Sequence, residues 1–187
     1  MNKVFIIIIY LILIQSVKAV DIKDYEIEGI SIGDSLLDYI SEEEINNHQS
    51  SNQPFDSKYK KIELNKKDFL KTYDSINIKY EKDSNKVVTI EGVFYFKDKE
   101  FFMCHNKRRL IDDYISQMFP NTKPEYLQEK FLSRDPTGNS YVIFTKFELS
   151  SNEFIITACS NYNEKLREER KLHDTLAVKL IMVNFSD

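Results

Sequence analysis

The sequence lacks an excess of positive charge. Its 187 residues include 26 Lys and Arg against 30 Asp and Glu, which gives a formal net charge of −4. Domains that bind nucleic acids typically carry a basic surface, because Lys and Arg neutralise the phosphates of the backbone. The acidic balance therefore argues against this class and predicts no nucleic-acid partner.

Histidine and cysteine are also scarce, with three and two copies in the chain. His48, His105 and His173 are isolated and show no H-x-x-x-H spacing, so the sequence contains no recognisable zinc motif. The two cysteines do not form the C-x-x-C pair that is typical of thiol redox catalysts. We therefore predict no cofactor and no metal ion.

Long apolar runs are absent as well. The longest is Val4 to Ile14, whereas a membrane-spanning helix needs about 17 to 25 apolar residues. Lys3 precedes this run and Val17-Lys18-Ala19 follows it, an arrangement typical of a signal peptide over residues 1–19 that is cleaved after Ala19. An uncleaved membrane anchor is the alternative. We expect an exported protein, periplasmic or extracellular, with no membrane span after cleavage.

Two cysteines in an exported chain favour a disulfide, because the compartments outside the cytoplasm are oxidising. With only Cys104 and Cys159 present, a single connectivity is possible. The two positions are 55 residues apart, and a cross-link of that span stabilises a fold by roughly 4 kcal/mol in the loop-entropy model. A redox-active pair is the alternative interpretation.

Residues 20–187 are long enough for one domain with a real core. The pattern divides them into an N-terminal strand-turn-helix piece at 20–45, a polar loop at 46–56 and a sheet-helix core at 57–187. The first piece is too small to have a core of its own. We therefore predict a single α+β domain.

Apolar residues alternate in several stretches, which predicts strands. Two pairs of these strands are separated by short polar turns and are expected to form hairpins. The predicted hairpins are 75–81 with 86–96 and 141–149 with 153–159, and further strands are expected at 59–64 and 176–182. Residues 121–139 are predicted to be irregular, with one or two helical turns at 125–131 as the alternative. The charged run 163–171 is predicted to be a solvated loop or a frayed helix. The predicted fold is an antiparallel sheet of about four to six strands.

Residues 106–119 have the apolar spacing of an amphipathic helix, which Pro120 ends. This helix is expected to pack on one face of the sheet. Its predicted buried positions are Leu110, Ile111, Tyr114, Ile115, Met118 and Phe119. Its predicted solvent positions are Asp112, Asp113, Ser116 and Gln117.

Gly29-Ile30-Ser31-Ile32-Gly33 matches the G-x-S-x-G elbow of α/β-hydrolases. An elbow of that kind follows several parallel strands and precedes an Asp and a His in order, whereas this chain predicts hairpins. We therefore interpret the motif as a turn that leads to Asp34, the predicted N-cap of a short helix.

Asp135-Pro136-Thr137-Gly138-Asn139 carries side-chain oxygens at alternate positions, as calcium loops do. An EF-hand loop needs a Glu at its twelfth position, where this chain has Lys146. The segment is better interpreted as a turn into the strand that follows it.

Basic residues cluster at the predicted start of the 106–119 helix, namely His105, Lys107, Arg108 and Arg109. The positive end of the helix dipole disfavours cations there. A bound anion would resolve the conflict through free backbone N–H groups and the guanidinium donors. The alternative is that these side chains extend into water or pair with the acidic residues of 163–171.

Four features follow one another along the chain: EIEGISIGDSLLDYISEEEI, Cys104 at the opening of a helix, a DPTGNS turn, and Cys159 at the end of a late strand. In this order the chain resembles a group of small, uncharacterised exported proteins of AT-rich marine bacteria. The resemblance covers most of the chain after residue 19. The group carries no known activity, so it implies no functional residue.

Three hypotheses for function follow. The leading one is a non-enzymatic binding or interaction module, whose partner is a protein or a small anionic ligand. The second is a hydrolase whose acid-base groups are dispersed along the sequence. The third is anion or acidic-ligand binding at the basic helix start, by His105, Lys107, Arg108 and Arg109.

Overall fold

The computed structural model describes residues 20–49, 58–65, 70–97, 100–131, 135–150 and 152–183. The predicted signal peptide and most of the predicted polar loop lie outside these ranges. The elements in chain order are 3₁₀ turns at Ile22–Asp24 and Leu36–Asp38, helix α1 (Glu42–Asn47), strands β1 (Tyr59–Asn65), β2 (Ser75–Glu81) and β3 (Val87–Phe96), helix α2 (Phe101–Met118), strands β4 (Glu125–Lys130), β5 (Tyr141–Ser150) and β6 (Glu153–Asn161), helix α3 (Glu164–Arg170) and strand β7 (Asp174–Met182).

All seven strands belong to one antiparallel sheet with the order β1-β2-β3-β7-β6-β5-β4. The predicted α+β class and antiparallel pairing are confirmed, but the predicted count of four to six strands is too low. The unpredicted strand, β4, lies in the segment 121–139. All six of its residues are exposed, so the sequence there has no apolar alternation to indicate a strand.

Both predicted hairpins are present, as β2–β3 and β5–β6. Strand β7 lies between them and pairs with β3 on one side and β6 on the other. Paired residues share one face of a sheet, and one row of such pairs is entirely buried aliphatic. That row consists of Ile62, Ile78, Ile90, Leu180 and Ile155.

Helix α2 packs on this buried face, against β3, β6 and β7. The Sγ atoms of Cys104 and Cys159 lie 1.98 Å apart and their Cα atoms 6.0 Å apart. The predicted pairing is therefore compatible with the fold, and it ties the first turn of α2 to β6.

The predicted buried stripe of this helix is wrong in part. Leu110 is 71% exposed and Tyr114 is 56% exposed, whereas Arg108 and Asp112 are buried. The helix is therefore rotated from the orientation that hydrophobicity alone indicates. Polar inward positions are tolerated here because the two side chains are paired with each other and with groups of the sheet.

The N-terminal residues share the core of the sheet. Their apolar side chains are buried together with those of the strands and of α2: Ile22, Ile27, Ile30, Ile32, Leu36, Ile40 and Ile45. Ser41 and Glu44 form the capping box of α1. Within the described ranges, no helix combines the length and apolar character that crossing a membrane requires.

The turn at Gly33 is confirmed by a φ of +90°, where glycine avoids the strain of a side chain. The predicted N-cap is wrong by one residue, since Ser35 precedes the Leu36–Asp38 turn. Asp34 instead accepts hydrogen bonds from the Ser31 N–H at 2.8 Å and from the Tyr39 hydroxyl at 2.6 Å. Its carboxylate closes the turn rather than capping the helix.

Asp135 also closes a turn, as the sequence predicts. Its carboxylate accepts from the N–H and hydroxyl of Thr137 and from the Ser140 N–H, at 3.1, 2.6 and 2.7 Å. The Thr137 side-chain bond is the largest effect that lowers the pKa of Asp135 below its usual range. These bonds hold the chain in the turn that enters β5.

Candidate functional site

The face of the sheet opposite α2 carries charged side chains that line a shallow cavity. The cavity has a volume of about 350 Å³ and spans β1, β2, β3 and β7. Three of its lining residues are Lys61, Lys79 and Lys179, and Glu63 and Glu91 lie beside them. We call this cavity, defined by the three lysines, the lysine site.

Strand geometry explains why the lysines meet. Successive side chains of a strand alternate between faces. Because Ile62, Ile78 and Leu180 are buried, their chain neighbours Lys61, Lys79 and Lys179 lie on the open face. Lys61 and Lys79 are direct cross-strand partners. Lys179 reaches the same area because β7 pairs with β3.

The lysine site concentrates positive charge. Partial burial is the largest effect that lowers the pKa of Lys79, followed by the nearby charges of Lys61 and Lys179. The Lys79 Nζ lies 4.3 Å from the centroid of the Tyr59 ring, which offers a weak electrostatic partner. The site therefore disfavours its own charged state, and a negative group would relieve that cost.

Two glutamates lie at the border of the lysine site. Glu91 is the register partner of Lys179, and it accepts a hydrogen bond from the Asn77 amide at 3.2 Å. Glu63 lies opposite Asn77 on β1. The site thus presents ammonium donors that are bordered by carboxylates.

The basic residues predicted at a helix start do not lie there. Helix α2 begins at Phe101, so His105 to Arg109 occupy its second and third turns. The free backbone N–H groups of a helix belong to its first four residues. The premise of the predicted anion site, basic side chains beside free N–H groups, is therefore wrong in its position.

The four side chains of that cluster also have different surroundings. His105 packs on the edge of Phe101, with ring centroids 4.8 Å apart, and burial followed by the nearby Arg108 charge lowers its pKa. Lys107 places its Nζ 3.2 Å from the Phe94 ring centroid. Arg108 is buried and Arg109 is exposed. Anion binding by this cluster stays a prediction.

Arg108 belongs to a closed polar network between α2 and the sheet. Its Nη1 lies 3.2 Å from Asp112 Oδ2 and also donates to the Thr145 hydroxyl. Asp112 accepts from Thr145 at 2.7 Å and from the Thr157 hydroxyl. Burial raises the pKa of Asp112, against the opposing effects of Thr157, Thr145 and Arg108. This network fixes the rotation of the helix and is closed to solvent.

The residues that suggested a hydrolase lie in separate places. Ser31 lines a groove with Asp34 and Tyr39, whereas His173 lines another groove with Glu168 and Arg167. Among the described residues, no three His, Cys, Asp or Glu side chains are grouped to hold a metal ion. The hydrolase alternative, in which dispersed carboxylates and histidines supply the acid-base groups, stays a prediction.

Sequence reasoning missed the lysine site. The lysines occupy outward positions of predicted strands, which was a usable signal, but their meeting depends on the β3–β7 pairing between distant segments. The chain matches no family model, no curated protein and no solved structure. Function is therefore argued from the surfaces of this fold.

Proposed function

We propose that the protein is an exported, non-enzymatic binding module that takes a small anionic ligand in the lysine site. The observation that carries this proposal is the convergence of Lys61, Lys79 and Lys179 on one cavity. It is unusual in a chain whose formal net charge is −4. Export is supported by the apolar N-terminal run of the sequence and by the cysteine pair.

The arrangement costs stability in the absence of a ligand. Like charges directly opposite each other on neighbouring strands are destabilising, and Lys61 and Lys79 are such a pair. A carboxylate or phosphate oxygen between them would convert this repulsion into charge-assisted hydrogen bonds.

The carboxylates beside the lysines restrict the ligand. Glu63 and Glu91 would repel a polyanion that extended across the strands. Ile181 supplies an apolar wall, and the volume of about 350 Å³ lies at the small end of ligand cavities. We therefore propose a small organic acid with one or two negative charges and a short apolar part.

Thermal-shift titration tests this proposal on the exported protein. Acetate, succinate, citrate, phosphate and sulfate form the panel, with sodium chloride matched for ionic strength. A ligand at about 100 times its Kd stabilises the folded state by about 2.7 kcal/mol. We expect succinate to raise the unfolding temperature more than chloride does.

The variant Lys79→Met identifies the site, because it removes the central ammonium and keeps the aliphatic length. We expect it to weaken the organic-acid response at least tenfold. The control Lys123→Met removes an exposed charge on the segment before β4 and should respond as the wild type does. A panel without any specific shift, or equal responses of Lys79→Met and wild type, would refute the proposal.

The same titration examines the basic cluster on α2. The variant Arg109→Ala changes an exposed member of that cluster and leaves the buried Arg108 in place. Loss of the response in Arg109→Ala but not in Lys79→Met would move the anion site to the helix.

A further inference from the structure

The two edge strands of the sheet, β1 and β4, differ in whether other described residues pair with their outer side. At the β1 edge, Gln49 bridges Ile62, and the Glu63 N–H donates to the His48 carbonyl at 3.3 Å. At the β4 edge, the described residues supply no strand or bridge on the outer side of β4, the side away from β5. Every residue of β4 is exposed, with Tyr126 at 67%.

The direction of the β4 backbone groups follows from one hydrogen bond. The Phe131 N–H donates to the Ser140 carbonyl at 3.0 Å, so Phe131 turns its backbone toward β5. Backbone groups alternate in direction along an antiparallel strand. Tyr126, Gln128 and Lys130 therefore turn their N–H and C=O groups away from β5, where no group of the described chain pairs with them.

We propose that β4 pairs with the β4 strand of a second copy of this chain. The pairing is antiparallel about a two-fold axis at Gln128, and it joins two sheets into one. An exposed row of unpaired N–H and C=O groups is a ready template for another strand. A two-fold interface uses the same patch on both subunits. It therefore requires only a strand whose two halves are complementary to each other in antiparallel pairing.

The charges of β4 select the register. A two-fold axis perpendicular to a sheet maps each face onto itself, so paired residues must be an even number of positions apart. With the axis at Gln128, Tyr126 faces Lys130 of the second copy at both ends of the strand. A cation beside an aromatic ring is attracted to the negative face of the ring.

The two neighbouring registers, with the axis at Leu127 or at Glu129, are less favourable. An axis at Leu127 places Glu125 opposite Glu129 and sets Lys130 opposite Pro124, which has no N–H to donate. An axis at Glu129 places that carboxylate opposite its own copy. Like charges directly opposite are destabilising, so the register at Gln128 is favoured.

The dimer is expected to depend on concentration. Stable interfaces bury about 1,200–2,000 Å² in total, and one short strand on each side covers the low end of that range at most. The backbone pairs centred on Gln128 are hydrogen-bonded and bring the two Gln128 Cα atoms to about 5.5 Å. A disulfide spans Cα separations of about 4.4–6.8 Å, so this position can report the register.

Cysteine cross-linking tests the pairing in the full exported chain. The described residues contain no free cysteine, so a substitution introduces a single thiol. We expect Gln128→Cys to form a disulfide-linked dimer under mild oxidation at about 100 μM protein, the concentration range of a weak interface. Glu129→Cys is the matched control, because its partner in this register is Leu127. Equal cross-linking of the two variants would overturn the register.

Sedimentation velocity then tests the dimer without cross-linking. We expect the wild type to shift from monomer to dimer between about 5 and 500 μM, as a weak interface does, and Gln128→Pro to stay monomeric. Proline is tolerated on an edge strand where its nitrogen faces outward, and circular dichroism verifies the fold of the variant. A wild type that is monomeric throughout, or a dimer that survives Gln128→Pro, would refute the proposal.

Discussion

The two faces of the sheet handle buried charge in opposite ways. On the face beneath α2, Arg108 and Asp112 are enclosed with Thr145 and Thr157, and each ionised group has a close partner. On the open face, the charge of Lys79 is disfavoured by partial burial and by two other lysines. The first arrangement pairs its opposite charges within the fold, although the buried Arg108 Nε has no hydrogen-bond partner among the described residues. The second gains from a partner outside the fold.

This difference separates structural charges from candidate binding charges. Removing a member of the closed network should damage the fold, because its partner is left buried without compensation. Removing a member of the lysine site should leave the fold intact or improve it. Stability measurements on matched variants can therefore test the assignment without knowledge of the ligand.

The largest loss is expected from the tether of the covered face. Replacing both Cys104 and Cys159 by Ala should lower the free energy of unfolding by about 4 kcal/mol, since the loop between them becomes free in the unfolded state. Urea unfolding of the wild type and the double variant measures the loss. Two reactive thiols in wild-type protein recovered from an oxidising compartment would contradict the disulfide itself.

The second-largest loss is expected for Asp112→Ala, which should lower the free energy of unfolding by about 3 kcal/mol. The substitution leaves Arg108 buried without its ion-pair partner, and breaking such a pair typically costs 3–5 kcal/mol. We expect a loss at the lower end of this range because the Thr145 hydroxyl still accepts a hydrogen bond from the Arg108 guanidinium. The exposed Asp113→Ala is the matched control in the same urea experiment. Equal losses for the two variants would mean that the network is not important for stability.

Gly92→Ala should lower the free energy of unfolding by about 2 kcal/mol, because the added methyl group overpacks the covered face. Gly92 lies directly beneath the Tyr73 ring, and an added Cβ would stand 2.5 Å from it. The ring cannot give way freely because it also packs on Phe94, with centroids 4.5 Å apart. The double variant Gly92→Ala, Tyr73→Leu should recover part of the loss, and a larger combined loss would contradict the contact.

Lys79→Met should have the smallest effect and the opposite sign, a gain of up to about 1 kcal/mol near pH 7. The folded state holds the pKa of Lys79 below its unfolded value of about 10.4. The unfolded state therefore binds more protons as the pH approaches that value, and wild-type stability rises with pH there. The difference between the urea midpoints of the variant and the wild type should be smaller at pH 9.5 than at pH 7. A clear loss at pH 7 would make Lys79 a structural residue.

The local parts of this fold were predictable from the sequence. Both hairpins have clean alternation and short polar turns, and the capping box of Ser41 and Glu44 is a local pattern. Strand β4 was not predictable, because EYLQEK is exposed on both faces and has no apolar period. Hydrophobic periodicity reports burial, and an edge strand that buries nothing is invisible to it.

The rotation of α2 and the lysine site could not be predicted from the sequence for a different reason. Asp112 looks like a solvent residue until Thr145 and Thr157, from two other strands, are known to face it. Lys179 likewise joins Lys79 only through the β3–β7 pairing. Both features depend on contacts between distant segments, about which a single sequence carries little information.

The place of β7 in the sheet has a consequence for the order of events in folding. The strand that joins the two hairpins, Asp174–Met182, is synthesised after both of them. Until it arrives, β3 and β6 each have an open side, and the sheet exists as two separate halves. Long-range pairing of this kind slows folding. The sheet therefore cannot be completed until nearly all of the described residues have been synthesised.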